Sequence, residues 1–174
     1  MTLLTATRAR SGAQFAGFAL LGSAALAASA QITLPMWPVP ATLQTLVVLL
    51  LGALGGSRLG VAAVLAYLLE GAMGLPVFAG GTAGPAVLMG PTAGFLLGFI
   101  PAAALAGLAA RGGLARQGSV LLAAHLLLFV PGVLWLAQFV GMEKALMAGF
   151  VLFIPGTAVK TALALATLRA AQRT

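Results

Sequence analysis

The sequence predicts an all-α integral membrane protein: a compact bundle of six transmembrane helices forming one domain over residues 1–174, with the N and C termini cytoplasmic. Three observations lead there. Of the 174 residues, 61% are hydrophobic and only 6% are charged. A soluble domain with so little charge would expose large apolar patches, whereas a bilayer makes the composition sensible. The apolar stretches approach the ~20 residues that a spanning helix requires, and a chain of this length with short connections holds about six. Finally, the basic residues sit at the ends of these stretches with a strong bias to one side.

The first helix spans about 13–34, after Arg8 and Arg10. Its basic start, apolar run and Ala28-Ser29-Ala30 before Gln31 also fit a cleavable signal peptide. The run is longer than an h-region needs, and cleavage would cost the bundle a helix, so the segment is read as retained. Gly22, Ala24, Ala25, Ala27, Ala28 and Ala30 make it nearly all small, and pairs such as Ala24 and Ala28 let another helix approach closely. Packing within the chain and docking of a partner protein both fit that surface.

Residues 35–41 form an irregular outer segment, because Pro35, Pro38 and Pro40 remove donors and push their predecessors toward extended backbone. Thr42 reads as the N-cap of a second helix, about 43–54. Gly55-Gly56-Ser57-Arg58 is a tight turn, and a third helix covers about 59–71. Both helices are short for spanning, so at least one should end below the membrane surface.

A second irregular outer segment covers 73–91. Gly74, Gly80, Gly81, Gly84 and Gly90 alternate with Pro76, Pro85 and Pro91, yet Leu75, Val77, Phe78, Val87, Leu88 and Met89 are apolar. Lipid cannot satisfy irregular backbone, so such a loop must pack on protein or line a cavity. It reads as a binding-site loop, with a plain hydrophobic lid as the alternative.

The remaining helices cover about 92–110, 119–139 and 143–170, with Pro131 and Pro155 expected to kink the last two. Six spans put Arg8, Arg10, Arg58, Arg111, Arg116, Arg169 and Arg173 on one side, Lys144 on the other and Lys160 inside the last span. Seven against one predicts cytoplasmic termini in a multi-pass protein of the cell (cytoplasmic) membrane. An odd number of spans would scramble the pattern.

Several function classes fall away. No cysteine is present, which removes disulfides and thiolate metal sites. One histidine and two carboxylates leave little for metal or acid–base constellations, so no catalytic residue, metal or cofactor is expected. The net charge of +7 has neither the clustered stripe nor the interleaved aromatics of a nucleic-acid binder. No P-loop motif occurs, so ATP is not bound by that device.

Lys160 carries the most information. A cation at that depth costs about 2.5–3.5 kcal/mol on insertion scales, so it should face the interior and meet a partner. Glu70 is the one internal carboxylate within consideration. The residues therefore permit an anionic ligand, a Lys160–Glu70 pair, or snorkelling, against which depth argues. Gln44, Thr45, Tyr67, Thr157 and Thr161 are candidates to hydrogen-bond a ligand, or to join helices. His125 reads as an ordinary interior or interfacial side chain, and Trp37 and Trp135 as interface anchors.

At this point the motifs resemble a known family. Pro38-Val39-Pro40-Ala41-Thr42-Leu43-Gln44-Thr45-Leu46 is similar to the P-V-P-x-T-L-Q-T-L segment of BioY, the biotin-binding S component of energy-coupling-factor (ECF) transporters. Tyr67-Leu68-Leu69-Glu70-Gly71 and Gly74-Leu75-Pro76-Val77-Phe78-Ala79-Gly80-Gly81 continue the likeness. Gly90-Pro91-Thr92-Ala93-Gly94-Phe95-Leu96 resembles its G-P-T-G-G-Y-L, and Phe153-Ile154-Pro155-Gly156 followed by Lys160 resembles the start of its last helix. Order and spacing hold over essentially the whole chain.

The resemblance implies six helices with cytoplasmic ends and biotin captured from the outer face. It implies ATP-driven partners as well: a transmembrane T component and two ATP-binding-cassette ATPases, which the family uses in dedicated, shared or dispensable form. The small-residue face around Ala24 and Ala28 resembles the surface that meets the T component. Carried over by position, Lys160 would meet the biotin carboxylate, Gly94 and Phe95 would lie near the ligand, and the loop with Phe78, Gly80 and Gly81 would close over it. Two positions depart from the family: Thr157 stands where an acidic residue is common, and Phe95 where tyrosine is frequent. They leave the ureido contacts unassigned. An S component for another small vitamin, and an integral membrane enzyme acting on a lipid-like substrate, are the alternative functions.

Overall fold

The computed structural model describes residues 12–173. Arg8 and Arg10, part of the charge count above, lie outside the described residues. Eight α-helical segments are present among those described: α1 Gly12–Ala30, α2 Gln44–Gly55, α3 Ser57–Ala72, α4 Ala93–Ala106, α5 Leu114–Leu127, α6 Phe129–Val140, α7 Met142–Gly149 and α8 Ile154–Ala171. They form six rods, because α5 continues into α6 and α7 is followed closely by α8. Among the described residues, four stretches are long and apolar enough to cross a membrane: Gly12–Ala30, Ala93–Ala110, Leu114–Val140 and Met142–Ala171. The 12-residue α2 and 16-residue α3 fall short of the ~20 needed, as their sequences indicate.

Local chemistry explains where the boundaries depart from expectation. The first helix stops at Ala30 rather than Leu34, since Pro35 forces Leu34 into extended backbone. Thr33–Leu34 (β1) instead pairs antiparallel with Ala41–Thr42 (β2), in register Thr33↔Thr42 and Leu34↔Ala41. This ribbon closes the proline segment, in which the Trp37–Pro38 bond is cis. Thr42 is thus a strand residue rather than the N-cap, which is Leu43; its hydroxyl still accepts from the Gln44 N–H at 3.3 Å. Between α2 and α3 the turn shrinks to Gly56, whose φ of +83° suits glycine.

The fifth rod begins at Leu114, five residues before the expected Ser119, and Arg116 reaches back to the Leu108 and Arg111 carbonyls. Pro131 interrupts it as anticipated, since a proline ring meets the carbonyl four residues earlier and α5 ends at that residue, Leu127. The last rod is broken outright. Phe150 leaves helical geometry (φ −134°, ψ −62°) and a 3-10 turn spans Val151–Phe153. Pro155 then sits in the first turn of α8, where its missing N–H costs nothing; it starts a helix rather than kinking one.

The α4 rod is central, packing against α2, α3, α5 and α6, while α1 lies on α3 and α8 on α2 and α5. Glycine permits close approach: a Cβ on Gly98 of α4 would stand 2.7 Å from the Leu128 carbonyl oxygen. Leucines such as Leu21, Leu69, Leu134 and Leu163 face outward, as lipid-covered rods require. At one end of the bundle, Ser57 Oγ donates to the Ala104 carbonyl at 2.6 Å and Gln172 Nε2 to the Ala110 carbonyl at 3.0 Å. These bonds gather the α2–α3 turn, the α4–α5 turn and the C-terminal end of α8. Arg58, Arg111, Arg116, Arg169 and Arg173 therefore share that end, and Lys144 lies at the other.

Candidate functional site

Between the rods lies a cavity of about 220 Å³. Val39, Pro40, Thr42, Gln44 and Thr45 enter from β2, α2 and the residues before them; Phe78, Ala79, Thr82 and Val87 come from the 73–91 loop. Thr92, Phe95, Leu96 and Phe99 come from α4 and its approach, His125, Leu128 and Phe129 from α5 and α6, and Phe153 and Lys160 from the last rod. The lining is largely apolar with a few polar groups, the pattern of a small-molecule site.

One wall is aromatic. Phe95 stacks on Phe153 (centroids 6.3 Å, 17°) and meets Phe129 edge-on at 6.2 Å, while His125 lies parallel to Phe129 at 6.2 Å. After the break at Phe150, Phe153 lines the cavity, and Phe150 and Phe153 both contact Phe129, at 5.3 and 6.0 Å.

The polar side is a chain of hydrogen bonds. Lys160 Nζ donates to the Thr42 carbonyl at 3.1 Å. Thr42 Oγ1 donates to Gln44 Oε1 at 3.1 Å, and Gln44 Nε2 donates to the Tyr67 hydroxyl at 2.7 Å. Glu70 is engaged elsewhere, accepting from Ser23 Oγ at 2.5 Å across α1 and α3. The structure therefore rejects the Lys160–Glu70 pair, and Lys160 makes no ion pair among the described residues. Its ammonium projects into an apolar chamber held by one backbone carbonyl. Buried charge in such surroundings is costly without a counter-ion.

The loop closes one side of the cavity. Phe78 is 1% exposed and meets Tyr67 edge-on at 5.4 Å. It is seated because Gly71 of α3 has no side chain: a Cβ there would strike the ring. The Gly84 N–H donates to the Gly71 carbonyl at 2.8 Å and Gln31 Nε2 to the Phe78 carbonyl at 3.1 Å, pinning the segment down. Trp135 Nε1 also donates to the Gly90 carbonyl at 2.9 Å, so this indole tethers the loop's far end as well as facing outward.

Of the residues read from the sequence, Lys160, Gln44, Phe78 and Phe95 line the cavity together, and Thr45 joins them. Tyr67 stands behind Gln44 as its partner. Four others do not line it. Gly80 and Gly81 adopt φ near +70° and are exposed, shaping the turn instead of touching the chamber. Gly94 is packed against Pro131 and Trp135, and Thr157 is buried without lining the cavity. Ala24 and Ala28 are exposed on α1 and do not line the cavity. His125, read from the sequence as an ordinary interior or interfacial side chain, lines the cavity from a buried face that it shares with Gln117, Leu121 and Leu128 at helical spacing.

The sequence and the fold both have known counterparts. The BioY family model matches residues 4–174. A probable biotin transporter BioY of Pyrococcus horikoshii is 42% identical over 135 residues, 78% of this chain and 82% of that protein. A biotin transporter, BioY2, of Lactococcus lactis is 40% identical over 167 residues, 88% of this chain and 90% of that protein. Among solved structures, the S component for biotin from an ECF-type ABC transporter superposes with a TM-score of 0.83, covering 93% of this chain and 92% of that one at 22% identity. At that identity the superposition speaks for the fold, an all-helical membrane bundle. With the family model spanning nearly all residues, the chain belongs to the BioY family.

Proposed function

We propose that this chain is a membrane-embedded biotin-binding S component for biotin uptake, with the cavity around Lys160 as its binding site. The observation that carries the reading is an ammonium in an apolar chamber with no carboxylate partner among the described residues. Biotin brings the missing anion, a bicyclic ring suited to the aromatic wall, and a ureido group for Gln44, Thr45 and Thr42. The family membership and the names of the relatives support biotin over another vitamin. The chain performs no covalent chemistry in this reading; it captures ligand from the outer face and delivers it inward.

The whole chain acts as one membrane domain whose arginine-rich end faces the cytoplasm, by the positive-inside rule, in the cytoplasmic membrane. Its partners are a T component and two ABC-type ATPases, with the exposed small residues Ala24 and Ala28 on α1 meeting the T component. The loop over Phe78 opens and closes the outer entrance.

The test is equilibrium binding of labelled biotin to the detergent-purified chain. Wild type binds tightly, Lys160→Ala loses binding strongly, and Lys144→Ala, an exposed site, leaves it intact. Competition by other unlabelled vitamins is ineffective. A well-folded wild type that ignores biotin, or equal losses in both lysine variants, would overturn the assignment.

A further inference from the structure

His125 is fully buried, lines the cavity and has one ring nitrogen engaged: Nδ1 lies 2.8 Å from Thr161 Oγ1. Its Nε2 is buried with no hydrogen-bond partner among the described residues. Leaving such a group unmade is expensive, and buried polar atoms without partners are few in native structures. Thr161 follows Lys160 in α8, so the residue that fixes the imidazole is the neighbour of the one that supplies the ammonium. A Thr161 hydroxyl that donates to Nδ1 puts the ring proton on Nε2, making it a donor. The ring is held in place on its flat side too, stacked within 10° of Phe129.

We infer that His125 is a ligand-contacting residue, and that its Nε2–H and the Lys160 ammonium together hold one carboxylate group of the ligand. This rests on the biotin reading above. A carboxylate has two oxygens and about four acceptor sites, so a single lysine leaves it half satisfied in a dry chamber. The second donor completes it, and the ligand in turn satisfies the orphaned imidazole. Thr161 is a positioning residue: it holds the imidazole through Nδ1 without touching ligand. The pair also sets specificity, because a neutral ester or amide at that position accepts less from either donor.

The experiment measures equilibrium affinities of the full-length purified protein for biotin and for biotin methyl ester, in wild type, His125→Phe and His125→Gln. Phenylalanine keeps the stack on Phe129 and removes the donor; glutamine restores an N–H close to the Nε2 position. A charge-assisted hydrogen bond predicts that His125→Phe weakens biotin about ten- to hundredfold. The same variant leaves the methyl ester near its wild-type affinity, and His125→Gln recovers most of the loss. Equal losses for acid and ester show that His125 is packing alone and overturn the inference, as does undiminished biotin binding in His125→Phe. Wild type that binds neither compound overturns the biotin reading itself, an outcome distinct from a wild type that binds both.

Discussion

The contact between Phe78 and Gly71 offers a direct test of how the loop controls the cavity. Gly71→Ala adds a single methyl group, and the position it must occupy is already filled by three atoms of the Phe78 ring. The ring cannot simply swing aside, because it is wedged against Tyr67 and its segment is tied to α3 through the Gly84 N–H on the Gly71 carbonyl. Overpacking of this kind costs about 1–3 kcal/mol, which here falls on the seated state of the loop. If ligand needs that state, affinity drops by about five- to hundredfold. Phe78→Ala empties the contested space, so in that background the added methyl is free of penalty. Biotin affinities of the two single variants and the double variant form a cycle. The expectation is that Gly71→Ala weakens binding alone and adds nothing to Phe78→Ala. Losses that add, or a Gly71→Ala protein indistinguishable from wild type, would refute the idea that the seated ring governs access.

Three further outcomes follow from the same geometry. Ser23→Ala removes the hydroxyl that Glu70 accepts from, and should lower stability in detergent by about 0.6–2 kcal/mol, read as a fall in Tm, with biotin affinity unchanged because neither residue lines the cavity. Trp135→Phe deletes the donor to the Gly90 carbonyl and should raise hydrogen exchange across residues 86–92 while α4 beyond Phe95 stays protected. Gly98→Val places branched carbons against the Leu128 backbone and should abolish a folded, extractable protein, whereas Gly17→Ala, with nothing within 4 Å among the described residues, should be silent.

The six-rod plan was legible because its signals are chemical and local: apolar runs of spanning length, prolines and glycines between them, and arginines at their ends. The short α2 and α3 and the bend before Pro131 were readable for the same reason. Lys160 stood out because a cation in an apolar run demands an explanation wherever the chain folds. Gly94 and Thr157, expected near the ligand, do not line the cavity; residue type and motif position do not reveal which side of a helix faces a neighbour. Gly94 is a glycine so that α6 can approach, a need set by Pro131 and Trp135 nearly forty residues away. The break at Phe150 follows Gly149, the last residue of α7, but apolar residues on both sides made the stretch read as one helix, and the aromatic wall was hidden with it. His125 looked ordinary since its meaning depends on a free Nε2, which only the surrounding atoms define.

The bond from Lys160 to the Thr42 carbonyl joins positions 118 residues apart. The chamber therefore does not exist until the last rod has entered the membrane, and a chain truncated before α8 has the apolar walls without the charge. Ligand that binds only the finished bundle stabilises it in proportion to the logarithm of its concentration over Kd. During synthesis the cargo thus favours the late arrival of α8 beside α2 and α5. Cells grown with abundant cargo should accumulate more intact protein than starved cells, even when transcription is held constant, because the nutrient then protects its own carrier from quality-control proteolysis.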